Sequence, residues 1–319
     1  MITNPTICFA HVAYRMADQF ARRNTGLNHF QVWSREELAA RIGEADVVVV
    51  SGFWQNSMIP AASRLKFIQS ISAGTDQYDR IALAAAGIRL ASAAGANARA
   101  VAEHAIALIL ALARRLPEAR DNQLRAHWRG MIGDLTKRED ELGGKTLLIV
   151  GPGRIGGRLA QLGRAFDMHV IALKRDASTG VDGAHEVHPI AALHEQLPRA
   201  DYVALTCPLT AETEGLIGAQ ALARMKPSAL LVNCARGRVV DEAALEAALA
   251  AGQIAGAGLD VTAEEPLGAH SPLWAMPNVL VTPHTAGETR AYEDNVIDLL
   301  MENLGRLGRG ETVLRNQIV

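Results

Sequence analysis

Aromatic side chains make up only 4% of this 319-residue chain, while hydrophobic residues of all kinds reach 49%. Cores must therefore be built from aliphatic residues and alanine, and runs such as Ala243–Ala251 suit close-packed helices. Cysteine is scarce too. Cys8, Cys207 and Cys234 are far apart and odd in number, which argues against a disulfide framework and against a C-x-x-C metal site. A reducing compartment follows, so a cytoplasmic protein without a structural metal is expected. Charge of one sign is not in excess: the net charge is −2, which removes any global basic field for nucleic acid or acidic membranes. The longest apolar stretch, Ala105–Ala113, is well short of the ~20 residues a membrane span needs. Residues Met1–Ala10 lack the basic-then-apolar pattern of a signal peptide.

What is present is alternation. Thr6–Ala10, Asp46–Val50, Leu65–Ile71 and Ile88–Ala91 read as short strands, the second with four consecutive valines as in a strand buried on both faces. Arg35–Ile42 behind Ser34, and Arg80–Ala86 ended by Gly87, read as helices between them. Val101–Arg115 has no glycine or proline and is apolar almost all round, so a long buried helix is expected. Asn97 precedes it as a candidate cap. Polar Asp121–Gly144 reads as a linker or an arm. A second α/β series follows, with strands at Lys145–Val150, His169–Leu173, Asp201–Thr206, Ala229–Cys234, Gly256–Val261 and Asn278–Thr282. Such a series makes an open, doubly wound parallel sheet.

Gly151-Pro152-Gly153-Arg154-Ile155-Gly156 is a G-x-G-x-x-G that directly follows one of these strands and opens a helix. In that context the glycines serve a tight turn, a close backbone approach to a pyrophosphate and close helix–strand packing. The helix N-terminus then offers free N–H groups to phosphates. Dinucleotide sites that use NAD carry an acidic residue about 20 positions further on. At 23 positions beyond Gly151 stand Lys174 and then Arg175, two cations suited to the 2′-phosphate of NADP.

Three more segments end strands with chemistry-bearing residues: Asn233–Gly237 with Arg236, Leu259–Pro266 with Asp260, Glu264 and Glu265, and Thr282–Gly287 with His284. Carboxyl ends of strands are where open α/β sheets bind ligands. Read as N-x-A-R-G, L-D-V-x-x-x-E-P and T-P-H-x-A-G, these segments resemble the D-isomer-specific 2-hydroxyacid dehydrogenase family. Ala73-Gly74-Thr75-Asp76 and Cys207-Pro208-Leu209-Thr210 extend the likeness over nearly the whole chain.

The resemblance implies a doubly wound Rossmann domain at 99–288, inserted into a smaller, flavodoxin-like α/β substrate domain formed by 1–98 and 289–319. It implies hydride transfer between a nicotinamide cofactor and a small 2-keto or D-2-hydroxy acid, of the glyoxylate or hydroxypyruvate kind. Arg236 would bind substrate, Glu265 would orient the histidine, and His284 would be the acid/base. Glu264 would be surface. Ser72, Ala73 and Gly74 would offer backbone N–H groups to the substrate carboxylate. Cofactor contacts would come from Gly151, Gly153, Arg154, Ile155, Gly156, Lys174, Arg175, Cys207, Pro208, Cys234, Ala235, Asp260, His284, Ala286 and Gly287. NADP is the preferred cofactor in this reading, with NAD possible. A two-fold homodimer is expected through the helix near 101–115 and the arm. The reading from another class is an NAD-sensing binding protein without turnover. The chemistry of the residues agrees with the enzyme: a guanidinium fork suits a carboxylate beside a carbonyl, and histidine can protonate the alkoxide that hydride addition creates.

Overall fold

A computed structural model describes residues 4–319. The chain divides into two compact units, one running to Asn97 and resumed at Glu288–Val319, the other Ala98–Gly287.

The first unit holds five strands: β1 (Ile7–Ala10), β2 (His29–Val32), β3 (Val47–Val50), β4 (Phe67–Ser70) and β5 (Arg89–Ala91). All pair in parallel in the order β2-β1-β3-β4-β5, the flavodoxin-like order. Side chains alternate across the sheet with period two. Ile7, Phe9, Val47, Val49 and Phe67 point to the face covered by Val296, Ile297 and Leu300 of the helix Tyr292–Gly308. Cys8, Val48, Val50 and Ile68 point to the other face, against Leu38, Leu65 and Leu83. Ser34 caps its helix by accepting from the Glu37 N–H at 3.1 Å, and Asp79 caps the next by accepting from Ile81 and Ala82. At the end of the chain, the N–H groups of Ile318 and Val319 donate to the Leu90 carbonyl at 2.7 and 3.2 Å, so the tail closes this unit. The strand His29–Val32 was not expected from the sequence. It lies on the sheet edge and is half-exposed, so it carries no continuous apolar signal.

The second unit has seven parallel strands: β6 (Thr146–Val150), β7 (His169–Lys174), β8 (Glu186–Pro189), β9 (Tyr202–Leu205), β10 (Leu230–Asn233), β11 (Gly256–Leu259) and β12 (Val279–Val281). Their order is β12-β11-β10-β9-β6-β7-β8, so the winding reverses between β6 and β9. Reversal points of this kind leave a crevice at the carboxyl ends of the strands. Leu148, Val150, Ile171, Leu173, Val203 and Leu205 fill one face; Leu147, Ile149, Val170, Ala204 and Val232 fill the other, under the helices Ala98–Ala113 and Arg154–Ala165.

Two expectations are corrected here. The helix expected at Val101–Arg115 spans Ala98–Ala113, and it is not buried all round, since Glu103 and Ala107 face solvent. Its alanines are small enough to serve both a packed and a wet surface. Asn97, the candidate cap, has a buried Oδ1 without a hydrogen-bond partner among the described residues. The polar segment Asp121–Gly144 begins inside a helix, Leu116–Leu124, and continues irregularly through the short helical turn Leu135–Lys137. Among the described residues no helix is long and apolar enough to cross a membrane.

Candidate active site

The glycine turn sits at the reversal point. Gly151 has φ +86°, and a Cβ there would lie 2.5 Å from the Cys207 Cα, so backbone from the β6 and β9 ends meets in direct contact. A Cβ on Gly156 would strike Thr206 Oγ1 at 2.6 Å and the Gly151 carbonyl at 2.7 Å. Gly153 differs: nothing lies within 4 Å of its Cβ position, and as N-cap of the helix Arg154–Ala165 it supplies no side chain. An uncapped helix N-terminus behind an open glycine is a cradle for a phosphate group, so the residues present fit a dinucleotide. Gly153 and Arg154 are exposed, Ile155 is half-buried, and Cys207 is buried. Burial pushes the Cys207 thiol up to about 11 and raises Cys234 as well, so neither is a ready nucleophile.

Strand β7 ends at Lys174. Its Nζ donates to Thr179 Oγ1 at 2.5 Å and to the Thr179 carbonyl at 3.3 Å. Arg175 projects into solvent with an 80% exposed side chain, near Glu212 Oε2 at 3.5 Å. Asp176, the first carboxylate after the strand, accepts from Ser178 N–H at 2.9 Å, and hydrogen bonding to the Ser178 side chain and N–H holds its carboxyl below the ordinary range. Asp176 is therefore occupied with its own turn. A cation rather than a carboxylate stands out from the strand end.

Adjacent strands β10, β11 and β12 bring the other three segments to one edge. After β10, Asn233 accepts from Ala235 N–H at 3.0 Å and donates to the Arg236 carbonyl at 3.0 Å, which turns the chain sharply. Arg236 follows in extended conformation, its Nη1 donating to the Ala235 carbonyl at 2.7 Å. Gly237 then passes so close to the segment after β11 that a Cβ would lie 1.9 Å from the Thr262 carbonyl. The Thr262 N–H donates to Glu265 Oε1 at 3.3 Å, and Glu265 Oε2 lies 2.8 Å from His284 Nδ1. Contacts therefore run unbroken from the Arg236 segment to His284. Glu264 contributes only its carbonyl, which accepts from Thr262 Oγ1 at 2.7 Å.

His284 is held at φ +55°, a left-handed conformation that side chains other than glycine rarely adopt. Such strain persists only where surroundings over-determine it, and it gathers at functional sites. The surroundings are visible. Its N–H donates to the Asp260 carbonyl at 2.8 Å, while the Asp260 carboxylate accepts from the N–H groups of Thr285 (3.0 Å) and Ala286 (3.1 Å). Asp260, expected to meet the cofactor, also anchors the His284 turn through these bonds, with its side chain buried. A carboxylate beside Nδ1 favours a proton there and leaves Nε2 as the exchangeable position. The side chains of His284 and Glu265 are 47% and 40% exposed, so a small molecule can reach them.

In the first unit, the expected substrate loop is itself engaged. The Ser72 N–H donates to Ser70 Oγ at 3.1 Å, its carbonyl accepts from Ala93 N–H at 2.9 Å, and its hydroxyl lies 2.7 Å from Ser51 Oγ. Ser72 therefore does not present a spare N–H, and within that triplet the donors would be Ala73 and Gly74. One residue of the second unit was missed: His104, whose Nε2 lies 2.9 Å from Thr282 Oγ1. Its signal was a lone polar ring within an apolar helix, which by itself does not say which strand end it reaches.

Comparison with known proteins bears on this arrangement. The family described as D-isomer specific 2-hydroxyacid dehydrogenase, NAD binding domain, matches residues 106–286. A D-3-phosphoglycerate dehydrogenase of Mycobacterium tuberculosis is 37% identical over 288 residues, 88% of this chain and 52% of that protein. The chain thus spans about half the length of such relatives. A glyoxylate reductase of Aeropyrum pernix is 36% identical over 296 residues, 88% of this chain and 87% of that protein. Among solved structures, an acyclic imino acid reductase in complex with NADPH and D-Arg superposes with a TM-score of 0.85 at 26% identity, covering 98% of this chain and 100% of that one.

Proposed function

The chain belongs to the D-isomer specific 2-hydroxyacid dehydrogenase family, and from that premise we propose that it reduces small 2-keto acids, of the glyoxylate or hydroxypyruvate kind, to D-2-hydroxy acids with NADPH preferred over NADH. The observation that carries this reading is the Glu265–His284 pair at 2.8 Å on a strained turn, braced by the Arg236 segment through Gly237 and Thr262.

The residues divide the work by their chemistry. When bound, the nicotinamide supplies the hydride. Arg236 offers a planar, permanently charged fork to the substrate carboxylate and orients the neighbouring carbonyl. His284, with Nδ1 committed to Glu265, presents Nε2 as the proton donor to the oxygen that gains charge. The reverse direction uses the neutral ring as base. Ala73 and Gly74 are assigned to the substrate carboxylate by family resemblance. Gly151, Gly153, Arg154, Ile155 and Gly156 are assigned to the pyrophosphate. Cys207, Pro208, Cys234, Ala235, Ala286 and Gly287 are assigned to the rest of the cofactor.

A panel of 2-keto acids assayed with both NADPH and NADH tests substrate class and cofactor together. Reduction of short 2-keto acids is expected, and tight nicotinamide binding without turnover of any of them would replace the enzyme with a cofactor-sensing protein. One charge-assisted contact to the 2′-phosphate is worth about 1.5–3 kcal/mol, so kcat/KM should favour NADPH about ten-fold or more. Arg175→Ala should remove most of that preference by weakening NADPH and sparing NADH. Equal kcat/KM for the two cofactors in the unaltered protein would end the assignment.

The arm supports a homodimer. Trp128 and Met131 are 97% and 103% exposed, with Leu116, Leu124 and Leu135 also in solvent. Beside them lies a groove of about 660 Å³ lined by Leu112, Pro117, Tyr202, Leu230 and Pro277. So many large apolar side chains in solvent, on this polar segment and beside it, support a second copy as what covers them. Light scattering at micromolar concentration should give twice the 34.1 kDa chain mass, and a monomer would exclude this.

A further inference from the structure

We propose that His104 is a positioning residue for the His284 turn, acting through Thr282 and Asp260. The proposal rests on the functional reading above, because it gives that turn its importance.

The argument begins with a glycine. At Gly258, in the middle of β11, a Cβ would lie 3.1 Å from Leu108 Cβ and 3.4 Å from side-chain atoms of Leu108 and Leu112. The missing side chain lets the helix Ala98–Ala113 settle directly on the strand. His104 stands one turn before Leu108, and Asp260 stands two residues after Gly258. The close contact therefore carries the imidazole to the carboxyl end of β11, where His104 Nε2 comes 2.9 Å from Thr282 Oγ1 and 3.5 Å from Asp260 Oδ1.

Proton counting then gives the direction of the chain of bonds. Thr282 Oγ1 donates its single proton to Asp260 Oδ1 at 2.7 Å. A hydroxyl that has spent its proton can only accept, so His104 must donate from Nε2–H. The same Asp260 carboxylate accepts the N–H groups of Thr285 and Ala286, immediately after His284. Asp260 is only 3% exposed, and a carboxylate so placed needs every donor it can gather. His104 orients the hydroxyl, the hydroxyl helps satisfy the carboxylate, and the carboxylate ties down the left-handed turn. His104 and Thr282 are assigned no contact with the reacting atoms. The effect of these bonds is to keep His284 Nε2 where Glu265 and Arg236 can use it.

The test is a set of variants read two ways. In the free protein, amide NMR shifts of Thr285 and Ala286 report their bonds to Asp260. His104→Ala should move both, and His104→Gln should return them toward the original, because the glutamine amide can donate from near the Nε2 position. In steady-state kinetics, His104→Ala should lower kcat by about ten-fold with the KM of both substrates nearly unchanged, the sign of an interaction that matters in the transition state. His104→Gln should recover most of the loss. Thr282→Val combined with His104→Ala should be no worse than Thr282→Val alone, since both break one chain. Amide shifts unmoved by His104→Ala would overturn the proposal, as would full additivity of the double variant or a His104→Gln as impaired as the alanine. If no keto acid is turned over, the functional reading fails while the amide shifts still decide the role of His104.

Discussion

His284→Ala is expected to lower kcat for 2-keto acid reduction by roughly 10²–10⁴, the usual worth of general acid–base catalysis. Dinucleotide binding should be largely kept, because the glycine turn lies at the reversal between β6 and β9, four strands from β12 in the sheet. Glu265→Gln should cost less than His284→Ala, because the ring remains and only its orienting charge is lost. Glu264→Gln should cost little, since its side chain takes no part in the Thr262–Glu265–His284 contacts. The order of the three losses, measured as kcat with saturating cofactor, is the informative result. A Glu264→Gln more damaging than Glu265→Gln would transfer the orienting role, and a His284→Ala with normal turnover would end the assignment.

A second large effect is expected at Gly237. The site of a Cβ there is occupied by the Thr262 carbonyl at 1.9 Å, and a backbone neighbour cannot swing aside as a flexible side chain can. Gly237→Ala must push the Arg236 segment away from the segment that holds Glu265. Overpacking of this kind costs about 1–3 kcal/mol or more, a fall of several degrees in Tm at ~2–4 °C per kcal/mol for a unit of this size. Turnover should drop by about 10², since displacements near 1 Å in a reacting constellation have that effect. Gly153→Ala is the control. With nothing within 4 Å of its Cβ position it should melt like the original protein, while its dinucleotide KM rises because the cradle is partly filled. A Gly237→Ala with unaltered melting and turnover would show that the close approach is not what holds the two segments together.

Much of the fold was legible because buried parallel strands leave a strong local record. Val47–Val50 is buried at every position, and the sequence shows four valines. The edge strands β2 and β8 left no such record, since half-exposed positions accept histidine, glutamine and glutamate as readily as valine. Glycine was legible as a type and not as a reason. G-x-G-x-x-G announced a turn, yet only the structure separates Gly151, pressed on Cys207, from Gly153, which is open.

Local pattern, then, determined the family of shapes and the kinds of chemistry: an α/β chain, a phosphate turn, an arginine, a glutamate and a histidine at strand ends. These follow from hydrophobic period, from backbone conformations that only glycine allows easily, and from the acid–base character of side chains, all properties of short segments. Pairings belonged to the tertiary structure. The family resemblance had already chosen Glu265 over Glu264 as the partner of His284, but that Asp260 anchors the turn after β12 and that His104 reaches Thr282 from 178 residues away depend on strand order and helix approach. The physical reason is range. A hydrogen bond is decided within about 3 Å, and only the stacking of β10, β11 and β12 under the helix Ala98–Ala113 brings such distant residues within it.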